Sequence, residues 1–170
     1  VFEAGLGAIS AAHGAAVGLS LAAATSIAGV LGAGSFVLQY PAGWLADHVD
    51  LRRVFLGAGA VLCVASLAFA ASVGWPPLLW ITAFCWGAVG GALYTLTMVR
   101  VAHDFAASSA IAGAAAMIAG YTAGGAIGPA VSGLMLDRYG APGQSAWLTA
   151  LAMAVLAIAW RGGLRRSPAA

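Results

Sequence analysis

Apolar residues fill long uninterrupted stretches of the chain, and charged residues are confined to the short segments between them. The stretches without any charged residue are 4–46, 54–99, 105–136 and 139–160. A membrane-spanning helix needs about 20 consecutive, mostly apolar residues. The stretches therefore accommodate two, two, one and one spans, and the pattern predicts an all-α polytopic membrane protein with six transmembrane helices.

Turn-forming residues set the ends of these helices, which we expect over 1–13, 20–47, 52–71, 78–103, 106–136 and 145–160. Ser20 is a suitable N-cap for the second helix. The segment SVGWPP, 72–77, contains two prolines that cannot continue a helix, and GAPGQ, 140–144, is predicted as a further turn. The first predicted helix is too short to span a bilayer, so we expect the chain to begin inside a span.

Composition agrees with this class. The chain is 62% hydrophobic and 7% charged, its mean hydropathy is +0.97, and soluble domains are about 25% charged. No basic patch with interleaved aromatic residues indicates nucleic acid. Cys63 and Cys85 lie in apolar runs, where packing is their usual role. We therefore expect membrane lipid as a partner and neither a metal nor another cofactor. The chain has no HExxH motif and no nucleophile–base pair in facing spans, so we do not expect an enzyme.

The arginines orient the predicted bundle. If six spans alternate, one side of the membrane receives Arg52, Arg53, Arg100, Arg161, Arg165 and Arg166. The other side receives only Arg138. Basic residues accumulate in cytoplasmic loops, so we expect both ends of the chain and the segment around Arg52 on the cytoplasmic face of the cell membrane.

Small residues recur at helical spacing in the fifth predicted helix. Gly120, Gly124 and Gly128 stand four residues apart, with Pro129 directly after them. Such G-x-x-x-G patterns let transmembrane helices approach closely. Helix packing is therefore the expected role of this motif, ahead of direct contact with a solute.

The fourth predicted helix carries a stripe of small and polar residues, Gly87, Gly90, Tyr94 and Thr97. The stripe fits a water-filled cavity and equally a close helix crossing with hydroxyls bonded to the backbone, and the sequence leaves both open.

Glu3 would lie near the bilayer midplane, where a carboxylate is costly unless it is protonated, paired or hydrated. Glu3 is therefore a candidate for proton coupling or substrate contact; its alternative is an interfacial position.

The segment GWLADHVDLRR, 43–53, concentrates charge between the second and third helices. Gly43 permits close helix approach, and Asp47 lies where the second helix ends. An acid at a helix C-terminus is unfavourable unless a cation compensates it. Arg100, at the same expected side of the membrane, is one candidate partner.

Gly43-x-x-x-Asp47 followed by Arg52 and Arg53 resembles the signature loop of the major facilitator superfamily, usually G-x-x-x-D-R/K-x-G-R/K-R/K. His48 stands where Arg or Lys is usual, and Asp50 where Gly is usual. Residues 120–133, GYTAGGAIGPAVSG, resemble the Gly- and Pro-rich helix motif of the same superfamily.

Gly133-x-x-x-Asp137 repeats the G-x-x-x-D pattern at the end of the fifth predicted helix. An odd number of helices separates the two copies, so they are expected on opposite sides of the membrane. This is the arrangement of a 3+3 inverted repeat. The chain is thus expected to form one six-helix bundle with repeat units of about 1–73 and 76–162, followed by a cytoplasmic tail at 163–170.

The resemblance implies half of a twelve-helix transporter, with this chain similar to the C-terminal half and an N-terminal six-helix half as its partner. It implies secondary active transport of a small solute by alternating access, with proton coupling. Asp47 would form a cytoplasmic latch with Arg52, Arg53 and Arg100, and the pathway would be faced by Glu3, Tyr94 and Thr97. The alternative is a non-transporting membrane module or an inactive truncated half.

Overall fold

The computed structural model of the chain describes residues 12–72, 74–105 and 109–161. Its helices are α1, helical over residues 12–16, followed by α2 (Leu21–His48), α3 (Leu51–Ala71), α4 (Leu78–Asp104) and α5 (Ala110–Trp160). The described residues contain no strand, which confirms the all-α prediction. Helices α2 to α5 are each long and apolar enough to cross a membrane.

Two side chains cap helix starts. The Ser20 hydroxyl accepts a hydrogen bond from the Ala23 amide at 3.3 Å, which confirms the predicted N-cap of α2. The Asp50 carboxylate accepts from the Arg52 amide at 2.9 Å and the Arg53 amide at 3.4 Å. Such caps satisfy amides that have no partner within the helix. Helix α3 therefore begins directly after Asp50.

The predicted turn at 140–144 is reduced in the structure to a break at a single residue. Helix α5 continues through it, and only Gly140 leaves helical geometry, with φ 66° and ψ −161°. Glycine adopts positive φ without the steric penalty of a Cβ. Pro142 lies in the first turn after this break, where a missing amide costs no helical hydrogen bond. Gly140 thus divides α5 into a first arm, 110–139, and a second arm, 141–160, and the six separate helices are not confirmed.

Helices α2 and α4 run parallel and cross closely. A Cβ on Gly34 would overlap the Phe84 carbonyl, one on Gly87 the Leu31 carbonyl, and one on Gly91 the Ser35 carbonyl. Further along, Trp80 Nε1 donates to Ser26 Oγ at 2.9 Å. The glycines let the two backbones touch, which is how helices pack where lipid supplies no hydrophobic drive.

Helix α3 packs between α4 and the second arm of α5, and it contacts α2 little. A Cβ on Gly59 would meet the Leu156 side chain, and the Ser145 hydroxyl donates to the Ser66 carbonyl. The core formed by these helices consists of Ile27, Leu31, Leu62, Ala65, Phe69, Leu79, Ala83, Trp86, Val89, Leu148 and Ala152. The bundle is therefore built from two close pairs, α2 with α4 and α3 with the second arm, joined through α3 and α4.

Candidate functional site

The last residue of α2, before the connection to α3, is a histidine whose ring packs back onto the helix. His48 Nδ1 donates to the Trp44 carbonyl oxygen at 2.8 Å, and its ring stacks on the Trp44 indole with centroids 4.3 Å apart. His48, which stands where the signature usually has Arg or Lys, therefore packs back onto the last turn of its own helix.

Asp50, the second departure from the signature, is the N-cap of α3. A carboxylate there accepts two backbone hydrogen bonds and also compensates the positive end of the helix dipole. Glycine in this position would supply neither interaction. The departure thus has a clear structural role at the start of α3.

Arg52 connects the start of α3 to the end of α5. Its Nε donates to the Ala159 carbonyl at 3.3 Å and its Nη2 to the Trp160 carbonyl at 3.0 Å. The guanidinium lies 5.6 Å from the centroid of the Trp160 ring, within the range of a cation–π interaction. A cation at a helix C-terminus is favourable, so Arg52 caps α5.

The acid of the signature loop has no such partner. Asp47 is exposed in the last turn of α2, and it forms no hydrogen bond or ion pair with the described residues. Arg53 is exposed and Arg100 is half-buried near the end of α4. An ion-pair latch between Asp47 and these arginines is therefore not formed in this arrangement and stays a prediction.

The small and polar residues of the stripe on α4 differ in their surroundings: some belong to a close helix crossing, and others lie on an open face that fits a cavity. Gly87 belongs to the crossing with α2, whereas an added Cβ on Gly90 would meet no atom within 4 Å. The Thr97 hydroxyl donates to the Leu93 carbonyl at 2.7 Å. Tyr94 is half-buried and meets Tyr121 of α5 edge to face, with ring centroids 5.5 Å apart and planes at 71°. Gly90 and Tyr94 thus lie on a less crowded face of α4.

The glycines of the signature loop, of the G-x-x-x-G motif and of the repeated G-x-x-x-D pattern differ in their surroundings. Added Cβ atoms on Gly43, Gly120 and Gly133 would meet no atom within 4 Å, so none of the three marks a close approach among the described residues. Gly128 is buried, and Gly124 and Pro129 are half-buried.

The remaining predicted positions either lie apart from the loop or fall outside the description. Asp137 is exposed near the end of the first arm of α5. That arm runs antiparallel to α4, because Gly113 packs near Val101 and Tyr121 meets Tyr94. Asp137 is therefore at the end of the bundle opposite Asp47. Glu3 and the tail at 163–170 lie outside the described residues.

A buried polar pair, which the sequence patterns do not predict, lies at the same end of the bundle as Asp137. His13 and Gln144 are both fully buried, and His13 Nδ1 lies 2.9 Å from Gln144 Oε1. The His13 ring also packs 4.3 Å from the Phe69 ring. Nε2 of His13 and Nε2 of Gln144 have no hydrogen-bond partner among the described residues. Because the pair joins positions 131 residues apart, no local signal identifies it.

The described residues contain no group of three or more His, Cys, Asp or Glu that could hold a metal ion. Four apolar helices of spanning length define a multi-pass α-helical membrane protein. The sequence profile of the Major Facilitator Superfamily matches residues 3–170. The chain belongs to this superfamily, whose members are transporters and not enzymes, and the resemblance drawn from the signature loop is confirmed. Neither a curated protein nor a solved structure matches the chain.

Proposed function

We propose that this chain moves a small solute across the cytoplasmic membrane by secondary active transport with alternating access. The observation that carries the proposal is the superfamily match, which extends over residues 3–170. Apolar helices of spanning length support it, and so does the less crowded face of α4 around Gly90 and Tyr94. Proton coupling is part of the proposal.

The architecture that we propose for the working transporter is a 3+3 inverted repeat. In this view Gly140 separates a fifth from a sixth helix, so that α1 to α3 form one repeat unit and α4 with the two arms of α5 the other. Asp47 and Asp137, at opposite ends of the bundle, would be related by this repeat. A second six-helix half would complete the transporter, because solute sites in such folds lie between repeats near the bilayer midplane.

The solute pathway in this proposal runs along the less crowded face of α4. Tyr94 is half-buried against Tyr121, so a small movement between α4 and the first arm of α5 would uncover its hydroxyl. Thr97 lies on the same face of the helix, one turn further along. Glu3 is the candidate for proton coupling, since an intramembrane carboxylate can bind and release a proton.

The gate that we propose is the segment around Asp47 at the end of α2, on the cytoplasmic side by the distribution of arginines. Asp47 is exposed without a partner among the described residues, so a cation can reach it in another conformation. Arg53 and Arg100 are the candidate partners. Arg52 would have to leave the Ala159 and Trp160 carbonyls first. A latch of this kind needs a few kcal/mol, the usual difference between two conformers.

The test is transport in proteoliposomes that contain the chain together with the six-helix half proposed as its partner. A panel of small solutes is screened with and without a proton gradient, and uptake that requires the gradient supports the proposal. If uptake by the unchanged chain and by Glu3→Gln is the same with and without a proton gradient, proton coupling is excluded. No uptake of any solute by the assembled halves would favour the alternative, a non-transporting membrane module.

The gate has its own test in the same vesicles. Asp47→Asn should lower the uptake rate and change the labelling rate of a cysteine placed at Ala46. Asp137→Asn is the matched control, because Asp137 is also exposed but lies at the opposite end. Unchanged uptake and unchanged labelling in Asp47→Asn would exclude the latch while leaving the transport proposal standing.

A further inference from the structure

An apolar groove lies between α2 and α3, with α4 as its floor. Its walls include Leu38 and Leu45 of α2 and Val54 and Val61 of α3, and its floor includes Val89 and Leu96. The groove exists because α2 and α3 both pack against α4 but contact each other little. Its volume is about 350 Å³, in the range of small-molecule sites, roughly 300–1,000 Å³.

The length of the groove matches one leaflet of a bilayer. From Arg53 to Val61 the helix rises about 12 Å at 1.5 Å per residue, and half of the hydrocarbon core is about 15 Å thick. Val49 at one end and Val61 at the other are exposed, so the groove communicates with the surroundings. A chain of methylene groups entering from the lipid would therefore lie along it without meeting a polar group.

A single charge stands at the mouth of the groove. Arg53 lines it beside Val49, in the first turn of α3 and hence near the membrane surface. The Arg53 side chain is exposed and its guanidinium forms no hydrogen bond or ion pair with the described residues. The neighbouring Arg52 already donates hydrogen bonds to carbonyl groups at the end of α5. Arg53 is thus placed to meet a ligand that is anionic at one end and apolar along its length.

A second groove between α3 and α4 provides a contrast within the same molecule. It has nearly the same volume, about 340 Å³, and is lined by residues such as Ala60, Val64 and Ile81 with no charged side chain. Lipid tails can enter both grooves, but only the first one offers a cation to a headgroup.

We infer that the groove between α2 and α3 binds an anionic phospholipid, with one acyl chain against Val89 and Leu96 and the headgroup phosphate on Arg53. Guanidinium groups pair with phosphate through charge-assisted hydrogen bonds, and basic residues between transmembrane helices at the membrane surface are suited to such headgroups. The headgroup would share Arg53 with the proposed gate, and the bound lipid would make the stability of the α2–α3 connection depend on the composition of the surrounding leaflet.

The experiment measures phospholipid retained by the purified full chain in detergent, by native mass spectrometry. The probes are phosphatidylglycerol and phosphatidylcholine with identical acyl chains. Wild-type chain should bind phosphatidylglycerol about five-fold more tightly than phosphatidylcholine, the effect expected from one basic residue. Arg53→Gln should remove this preference and leave phosphatidylcholine binding unchanged. Arg138→Gln, which changes an exposed arginine of the first arm of α5, is the matched control and should retain the preference.

A second variant tests the groove itself. Gly57 lines it, and an added Cβ there would meet no atom within 4 Å, so Gly57→Leu should fill the groove without disturbing the helices. This variant should lose the part of phosphatidylglycerol and phosphatidylcholine retention that depends on the first groove, whereas lipid in the second groove should remain. Gly29→Leu is the control, because Gly29 is equally open and does not line the groove. Circular dichroism establishes that all four variants fold.

Two results would overturn the inference. Equal preference for phosphatidylglycerol in wild type and Arg53→Gln would show that Arg53 does not bind the headgroup. Wild-type retention by folded Gly57→Leu would show that the acyl chain binds elsewhere. Failure of either kind would leave the transport proposal untouched, since that proposal is tested by solute uptake.

Discussion

The closest approach of two helix backbones among the described residues is at Gly87. At Gly87 of α4 an added Cβ would overlap the carbonyl group of Leu31 on α2. The obstructing atoms belong to a helix backbone, which cannot rotate away as a flexible side chain can. Gly87→Ala should therefore force α2 and α4 apart and destabilise the bundle.

The magnitude follows from two opposing effects. Alanine is about 0.8–1 kcal/mol more favourable than glycine inside a helix, whereas overpacking a well-packed interior costs about 1–3 kcal/mol. Gly90, three residues further along α4, has no atom within 4 Å of an added Cβ. Gly90→Ala should therefore show the first effect alone. The two variants should differ by about 1–3 kcal/mol in the free energy of unfolding, which is the cost of the overlap.

The assay is unfolding of the purified chain in a mild detergent by increasing amounts of SDS, followed by circular dichroism and tryptophan fluorescence. Gly87→Ala should unfold at a lower SDS fraction than Gly90→Ala. Gly91→Ala, which meets the Ser35 carbonyl, should resemble Gly87→Ala, and the double variant should fall short of the sum because the sites are neighbours. Equal unfolding free energies for Gly87→Ala and Gly90→Ala would refute the close crossing of α2 and α4.

Three further predictions concern the helix ends and the buried pair. Asp50→Ala removes the N-cap of α3 and should lower stability by about 0.5–2 kcal/mol; unchanged hydrogen exchange in the first turn of α3 would contradict this. Arg52→Gln should release the end of α5, seen as faster hydrogen exchange near Trp160, and no change there would exclude the cap. Gln144→Leu leaves Nδ1 of buried His13 without its partner and should cost about 1–3 kcal/mol. Adding His13→Phe should recover part of that loss, and a double variant less stable than Gln144→Leu would argue against the hydrogen-bonded pair.

The class of the protein and most helix ends can be predicted from local patterns in the sequence. Charge-free runs of membrane length predicted apolar helices, and the structure places α3 and α4 within one residue of the predicted bounds. Ser20 was recognised as a cap because N-capping is a local interaction between a side chain and its own helix. The superfamily also follows from local motifs, since Gly43 and Asp47 are four residues apart near the end of α2.

Local signals were misleading where a residue type has two uses. Gly140 and Pro142 indicate a turn when they are taken together, yet the structure needs only one non-helical residue, at Gly140. Pro142 then stands at the start of a helix, where proline is tolerated. The glycines of the fifth predicted helix present the same ambiguity, because spacing alone does not distinguish a contact such as that of Gly87 from an open position such as Gly120.

The contacts between residues across the bundle could not be predicted from the sequence. Arg52 was expected beside Asp47 and instead caps α5, 107 positions away from Ala159; His13 and Gln144 meet across an even longer separation. In a soluble helix, an apolar stripe shows which face is buried. In a membrane, lipid tails are as apolar as the protein interior, so hydropathy identifies a span but not its neighbour. The pairing of helices, and with it the groove beside Arg53, depends on small-residue contacts and polar bonds that appear only once the helices are packed.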